Sequence, residues 1–303
     1  MGMKRLLLVL LVGLLLCGAA LGEEELLVEE VATGTFAPLP MDMSAGHVPN
    51  PEGFTEDGYQ DDSITVEMRQ EWVGDVHLNV AHVVIRDPSQ LRTGLNHPKA
   101  KMNNYVVAIA KKCNAIVATG GDFFTSDEGG YVVRMNETFR TNPRPSHDML
   151  IIDENADFHI IVKSDAEALK ALKENDTKFV NVFNFGPALV IDGELQPMPE
   201  KYSYHIRGKE PRTAIGQIGP LEYLMVCADG RKTESAGCTV ETLAQFMYDQ
   251  GCVQAYNLDG GNSARMAFNG ENYSAKVGKD RPVSDIIYFA TAMDFGLDEE
   301  AAE

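Results

Sequence analysis

Apolar and polar residues alternate with a period of two over Ile64–Arg69, the mark of a strand buried on one face. Val76–Ile85 is apolar enough for a strand covered on both faces. Shorter apolar runs predict strands at Ala115–Thr119, Met149–Ile152, Phe158–Val162, Ala188–Ile191, Thr213–Gln217, Tyr223–Ala228, Gln254–Leu258 and Ile286–Phe289. Three segments carry a helical period instead. Met102, Tyr105, Val106, Ile109, Ala110 and Cys113 fall on one face. Ser164 with Glu167 reads as a capping box opening a helix to about Glu174. Thr239 caps a third, with Val240, Leu243, Ala244 and Met247 inward and Gly251 as its stop. Strands outnumber helices and short turns join several of them. The expectation is a single α+β domain over residues 63–295, a mixed, largely antiparallel sheet core with about three flanking helices.

The flanks read differently. Lys4 and Arg5 precede an apolar run, Leu6–Leu16, followed by small residues and an acidic start at Glu23. That layout predicts a secretory leader over residues 1–22 and a secreted or envelope-associated chain. The run is too short to span a bilayer, which takes roughly 20 apolar residues. Residues 23–62 are acidic, interrupted by Pro and Gly and weakly periodic, so a linker is expected there. Residues 296–303 form an acidic tail. The net charge of −19 disfavours nucleic acid as a partner. It also means that any phosphate site must concentrate arginine locally. Cys113, Cys227, Cys238 and Cys252 lack metal-type pairing and sit in apolar surroundings, as buried thiols do, while Cys227 with Cys238 could pair in an oxidising compartment.

Candidate chemistry clusters where apolar strands run into Gly/Asp turns. This happens at Gly120-Gly121-Asp122-Phe123-Phe124, at Asp229-Gly230-Arg231 and at Asn257-Leu258-Asp259-Gly260-Gly261-Asn262-Ser263. Strand ends hold carboxylates firmly, as catalysis requires. Gly260 and Gly261 can turn their N–H groups towards an anion or simply make a tight turn. Among nearby arginines, Arg134, Arg212 and Arg231 are candidates to hold phosphate, and Asp229 to orient Arg231. Arg265 and Arg281 lie near the same turns. No HExxH, GxSxG, P-loop or strand-following GxGxxG occurs.

Together these segments, with Arg212-Thr213-Ala214-Ile215-Gly216-Gln217, Gly237–Leu243 and Phe185-Gly186-Pro187-Ala188-Leu189-Val190, resemble the phosphodiester glycosidase family over about Ser63–Ala292. The resemblance implies a hydrolase that releases a sugar from a sugar-1-phosphodiester, here of cell-envelope or exopolysaccharide type. It implies Asp259 as the essential carboxylate and Asp122 as the second, with Asp229 beside them. Arg231, Arg212 and Arg134 would hold phosphate. Asn257, Gly260, Gly261, Asn262 and Ser263 would hold sugar or phosphate oxygens. No cofactor is required, though a carboxylate-bound Ca²⁺ or another divalent cation stays open. The carboxylate separation would set the outcome, about 5 Å for retention and roughly 6.5–9.5 Å for inversion. Two positions depart from the family pattern: Gly120 stands where Asn is frequent, and Arg265 precedes Met266. They leave room for a non-catalytic glycan-binding scaffold. A metal-dependent phosphodiesterase is the third reading.

Overall fold

Alternation along the apolar strands decides what each residue packs against. On the Glu222–Ala228 strand, Tyr223, Met225 and Cys227 enter one buried cluster and Leu224, Val226 and Ala228 another. Met149–Asp153 divides the same way, with Leu150 and Ile152 inward and Met149 and Ile151 outward. Ile287 and Phe289 share the inner cluster, while Ile286 and Tyr288 face out. Both faces of these strands are covered, so they read as continuous apolar runs.

The protein is described here by a computed structural model over residues 34–96, 103–126, 129–275 and 280–297. The expected leader, residues 1–22, and most of the acidic tail lie outside the described residues. A nine-stranded sheet runs in the order Glu194–Leu195, Ala188–Ile191, Gln254–Leu258, Arg212–Gly219, Glu222–Ala228, Val76–Ile85, Ile64–Val73, Gly58–Gln60, Phe54–Thr55. One five-stranded sheet is ordered Glu271–Asn272, Met266–Phe268, Val117–Gly120, Asp285–Phe289, Leu91–Leu95. The other is ordered Phe158–Ile161, Met149–Asp153, Phe179–Phe183, Gly130–Arg134, Glu137–Asn142. The pairings among the described strands are antiparallel. The inner faces of the three sheets meet in one core that includes Ile64, Leu150, Phe183, Ile215, Tyr256 and Ile287.

Each outer face receives one helix. Helix α1 (Val106–Lys112) packs Val106, Ile109 and Ala110 on the Val117–Gly120 and Asp285–Phe289 strands. Helix α2 (Ala166–Glu174) packs Leu169 against Met149, Ile151 and Val182. Helix α3 (Val240–Asp249) covers Ala214, Leu224 and Val226 with the four residues expected from its period. Thr239 caps α3 by accepting from the Thr242 N–H, and Gly251 ends it at φ +82°. The cap of α2 differs from expectation. Asp165 accepts the Ala168 N–H, while the Ser164 hydroxyl donates to the His147 carbonyl. Tyr105, expected on the buried face of α1, is exposed at its N-cap, and Met102 lies outside the described residues.

The expected linker is, from residue 34 onwards, part of the fold. Thr35–Phe36 pairs with Met293–Asp294, Leu39 is buried, and Gly58–Gln60 extends the large sheet. Proline and glycine deprive this stretch of a regular ladder, so its carbonyls need other donors. The fully buried Arg92 supplies them, donating to the carbonyls of Pro40, Asp42, Ser44 and Ser89 and to the Tyr288 hydroxyl. Arg92→Ala should therefore release residues 37–46 and lower unfolding stability by about 2–4 kcal/mol. Chemical denaturation together with limited proteolysis of that segment reads the effect; an unchanged midpoint would contradict it.

Candidate active site

Three strand ends converge, two of them because their strands flank the same neighbour. Arg212 lies opposite Ala228, and Thr213 opposite Leu258, so the Asp229 and Asp259 turns leave the same edge of the large sheet. The Gly121-Asp122 turn arrives from a five-stranded sheet and is tied on by the backbone: Asp259 N donates to Gly121 O at 3.0 Å. Between them opens a cavity of about 500 Å³. Asp122 and Asp259 line it, with Arg144, Arg212, Arg231, Arg281, Tyr204 and Gly260-Gly261.

Asp259 is the carboxylate that reaches this cavity with a polar shell of its own. Arg281 Nη2 donates to its Oδ2 at 2.8 Å, and Arg281 Nε donates to Ser263 Oγ at 2.7 Å. Burial raises the Asp259 pKa above its ordinary value, while Arg281, Ser263 and the Gly260 N–H pull it down. The guanidinium of Arg281 lies over the Phe123 ring, 4.4 Å from its centroid. In the sequence Arg281 is one of several arginines near the Gly/Asp turns. Nothing local marks it, since Asp259 is 22 residues away.

Asp122 is held on both oxygens. Arg134 Nη2 donates to Oδ1 at 2.7 Å, and the Asn184 N–H donates to Oδ2 at 3.0 Å. Arg134 has no exposed surface, and its Nε donates to Asp285 Oδ2 at 2.7 Å. It is clasped between the Phe183 and Phe124 rings. The sequence suggests Arg134 as a holder of substrate phosphate; wholly buried, it compensates two buried carboxylates instead. Its position explains Gly121 as well, where an added Cβ would sit 2.4 Å from Asp285 Oδ2. The lone signal for Asp285 in the sequence is a charged residue opening an apolar strand.

Asp229 is also reassigned. It accepts from Asn79 Nδ2 and the Ala275 N–H and hydrogen-bonds His77 Nδ1 at 3.0 Å, so it braces three segments away from the cavity. Arg231 is oriented instead by Glu210 Oε2 at 2.6 Å and Asn262 Oδ1 at 2.7 Å, in a left-handed backbone at φ +57°. Arg212 lines the cavity and donates to the carbonyls of His205, Gly208 and Cys238, pinning the loop that carries Glu210.

Asn257 acts through others. Its amide donates to Gly186 O and to the hydroxyl of Tyr204, which lines the cavity. The Gly260-Gly261 turn makes no free anion nest, because Gly261 N donates to Pro211 O and Gly260 N turns to Asp259.

The two departures from the family pattern fall outside the cavity. A Cβ on Gly120 would lie 3.5 Å from Val283 Cγ1 and 3.9 Å from Val106 Cγ2, towards α1. Arg265 is ion-paired with Asp280 and donates to Ala264 O and Ala275 O. Among the described residues, no group of three or more His, Cys, Asp or Glu side chains is arranged to hold a metal ion. The four cysteines there are buried thiols; burial pushes Cys227, Cys238 and Cys252 up to about 12.

One guanidinium against two buried carboxylates leaves a charge surplus. Burial raises the Asp285 pKa from its ordinary 3.8, Arg134 opposes the rise, and Asp122 adds to it. The folded state thus holds this proton more tightly than the unfolded chain. The associated stability is complete below pH 3.8 and is lost as pH rises through the raised folded-state value. Asp285→Asn is neutral at every pH, so wild type should lose stability relative to this variant from about pH 4 to about pH 8, read as denaturation midpoints. A difference independent of pH would refute the protonated carboxyl.

Residues 111–290 match the sequence profile of the phosphodiester glycosidase family. An uncharacterised SPbeta prophage-derived protein of Bacillus subtilis, YomE, is 33% identical over 91 residues, 30% of this chain and 14% of that protein. The human and mouse N-acetylglucosamine-1-phosphodiester alpha-N-acetylglucosaminidases are 42% identical over 59 residues and 36% over 69. Those stretches are 20% and 23% of this chain and 11% and 13% of the two enzymes, so the chain matches under a sixth of the length of its curated relatives. In structure it is similar to the zebrafish N-acetylglucosamine-1-phosphodiester alpha-N-acetylglucosaminidase catalytic domain auto-inhibited by its pro-peptide. The TM-score is 0.58 at 18% identity, over 82% of this chain and 87% of that one. A putative exported protein of Burkholderia pseudomallei gives a TM-score of 0.51 at 14% identity, over 71% and 74% of the two chains. At such identities the structural likeness establishes the fold alone, whereas the profile covers more than half of the sequence, and the chain belongs to the phosphodiester glycosidase family.

Proposed function

We propose that this protein is an extracytoplasmic hydrolase that releases a sugar from a sugar-1-phosphodiester. One observation carries the reading. Asp259 reaches a cavity of about 500 Å³ lined by four arginines, in a chain whose net charge is −19. An anionic substrate gains from that local reversal of field, and a carboxylate beside it can act on the anomeric carbon. The expected leader over residues 1–22 supports the extracytoplasmic assignment. The substrate is a cell-envelope or exopolysaccharide-type phosphodiester.

In the proposed reaction the bond between the anomeric carbon and the phosphate oxygen breaks, and its electron pair leaves with the phosphate monoester. Arg231 and Arg212 face that charge from the cavity wall. Water adds to the oxocarbenium-like carbon and gives its proton to Asp259. A raised pKa suits a carboxylate to accept a proton. Asp122, fixed on both oxygens, is an electrostatic wall to the developing positive charge. Inversion at the anomeric carbon follows if Asp259 acts as base on water; retention would make it the nucleophile.

Hydrolysis of sugar-1-phosphodiesters in ¹⁸O-water should place the label on the sugar, and Asp259→Asn should lose about 10²–10⁴-fold in kcat. Label on phosphate, with loss of activity on chelation, would establish a metal-dependent phosphodiesterase instead. Binding without turnover across the panel would support a glycan-binding scaffold.

The pH profile gives a second check. Asp259 acts ionised, so the acid limb of kcat/KM should lie above the ordinary carboxylate value. Arg281→Gln removes a group that lowers the Asp259 pKa, so that limb should move to higher pH. A limb that stays in place would remove Asp259 from the proton-transfer step.

A further inference from the structure

A second groove of about 600 Å³ shares one wall with the active-site cavity. The exposed Ser203 lines both, and its hydroxyl lies 2.9 Å from His147 Nε2 on the cavity side. Along this wall the residues separate by face. Phe185 and Tyr204 line the active-site cavity, while Pro187 and Tyr202 line the groove.

The groove is apolar where a cavity for sugar would be polar. Pro145, Val162, Pro187, Pro197 and Pro199 line it, and Val162 is 44% exposed. An apolar patch kept in water beside an active site carries a free-energy cost that a ligand can relieve. Lys163 and Lys201 are the cations among the lining residues. The acid there, Asp148, is spent inwards, accepting the Lys163 N–H on Oδ1 at 2.8 Å and the Ala188 N–H on Oδ2 at 2.8 Å.

The groove is also built in advance. Lys163 and Ser164 both adopt left-handed backbone, at φ +52° and +48°, which costs conformational energy for residues with a side chain. Asp148 holds the first through its N–H, and Ser164 Oγ holds the second by donating to His147 O. Tyr202 is fixed too, donating to Phe185 O at 2.6 Å and accepting the Asp148 N–H at 3.0 Å.

Resting on the glycosidase reading above, we infer that this groove takes the aliphatic chain of the alcohol on the far side of the phosphodiester. The sugar occupies the cavity at Asp259, the phosphate lies towards the Ser203 wall, and the alcohol's chain lies along the prolines with Lys201 beside its anionic end. The substrate is then the sugar phosphodiester of an amphiphilic, lipid-like alcohol rather than of a second sugar.

The test uses the full chain and glucose-1-phosphodiesters of methanol, butanol and octanol. It also measures binding of butyl and octyl phosphate by calorimetry. A buried methylene is worth about two- to fourfold, so kcat/KM and affinity should climb by such a factor per methylene. Val162→Asp, a change at an exposed position, should flatten the climb in both measurements, and Lys201→Glu should weaken butyl and octyl phosphate alike. Turnover that ignores chain length overturns the inference and leaves the glycosidase reading intact. A climb that survives Val162→Asp overturns it too, since the chain then lies elsewhere. If no diester is hydrolysed but octyl phosphate binds in the Val162-dependent way, the groove stands and the glycosidase reading fails.

Discussion

The guanidinium of Arg134 is the interaction on which the site depends. It comes from the Gly130–Arg134 strand of one sheet, and its partner Asp285 opens a strand of another. Its second partner, Asp122, is a wall of the cavity. A bare guanidinium in such a place would be prohibitive, and the two carboxylates are no better off alone, so none of the three can be placed without the others. The cost of burying them is returned as rigidity. Asp122 has both oxygens occupied and cannot swing, and the Gly121 backbone is squeezed against Asp285 so that the turn has one shape.

Around that anchor the architecture follows from covering both sides of each sheet. Three inner faces meet in a common core, and α1, α2 and α3 close the outer faces. The strand ends are left as the places where backbone emerges from the core, and three of them, from two sheets, gather together. Short polar side chains at those ends are spent on other protein groups. Asn257, Ser263 and Asp229 act as braces, and the cavity is left to Asp259, the arginines and the aromatic rings of Phe123, Phe185 and Tyr204.

Much of this was legible from the chain. The doubly covered strands declare themselves as apolar runs, and Thr239 with Gly251 frames α3. The Asn257–Ser263 turn, with its distance from Asp229-Gly230-Arg231, carries the family. What escaped has one physical source. Leu91–Leu95 and Gly130–Arg134 contain buried arginines, and in a one-dimensional reading a charge interrupts a strand. Only the partners make it a core residue, and Asp285 lies 151 residues from Arg134. The same blindness assigned Arg134 to phosphate and Asp229 to Arg231, because proximity along the chain stood in for proximity in space. Residues 34–62 looked like a spacer because Arg92, which saturates their carbonyls, lies about 50 residues downstream.

The closure of the fold by its two ends bears on how the protein is made. Thr35–Phe36 pairs with Met293–Asp294, and Thr291 donates to Asp61 across 230 residues of sequence. Asp285, the counter-charge of Arg134, also arrives late. A ribosome would have to deliver the chain as far as Asp285 before the central ion cluster could be neutralised, and as far as Asp294 before the outermost strand pair formed. Until then the nascent polypeptide would lack a finished core, a long interval for holding chaperones to engage it.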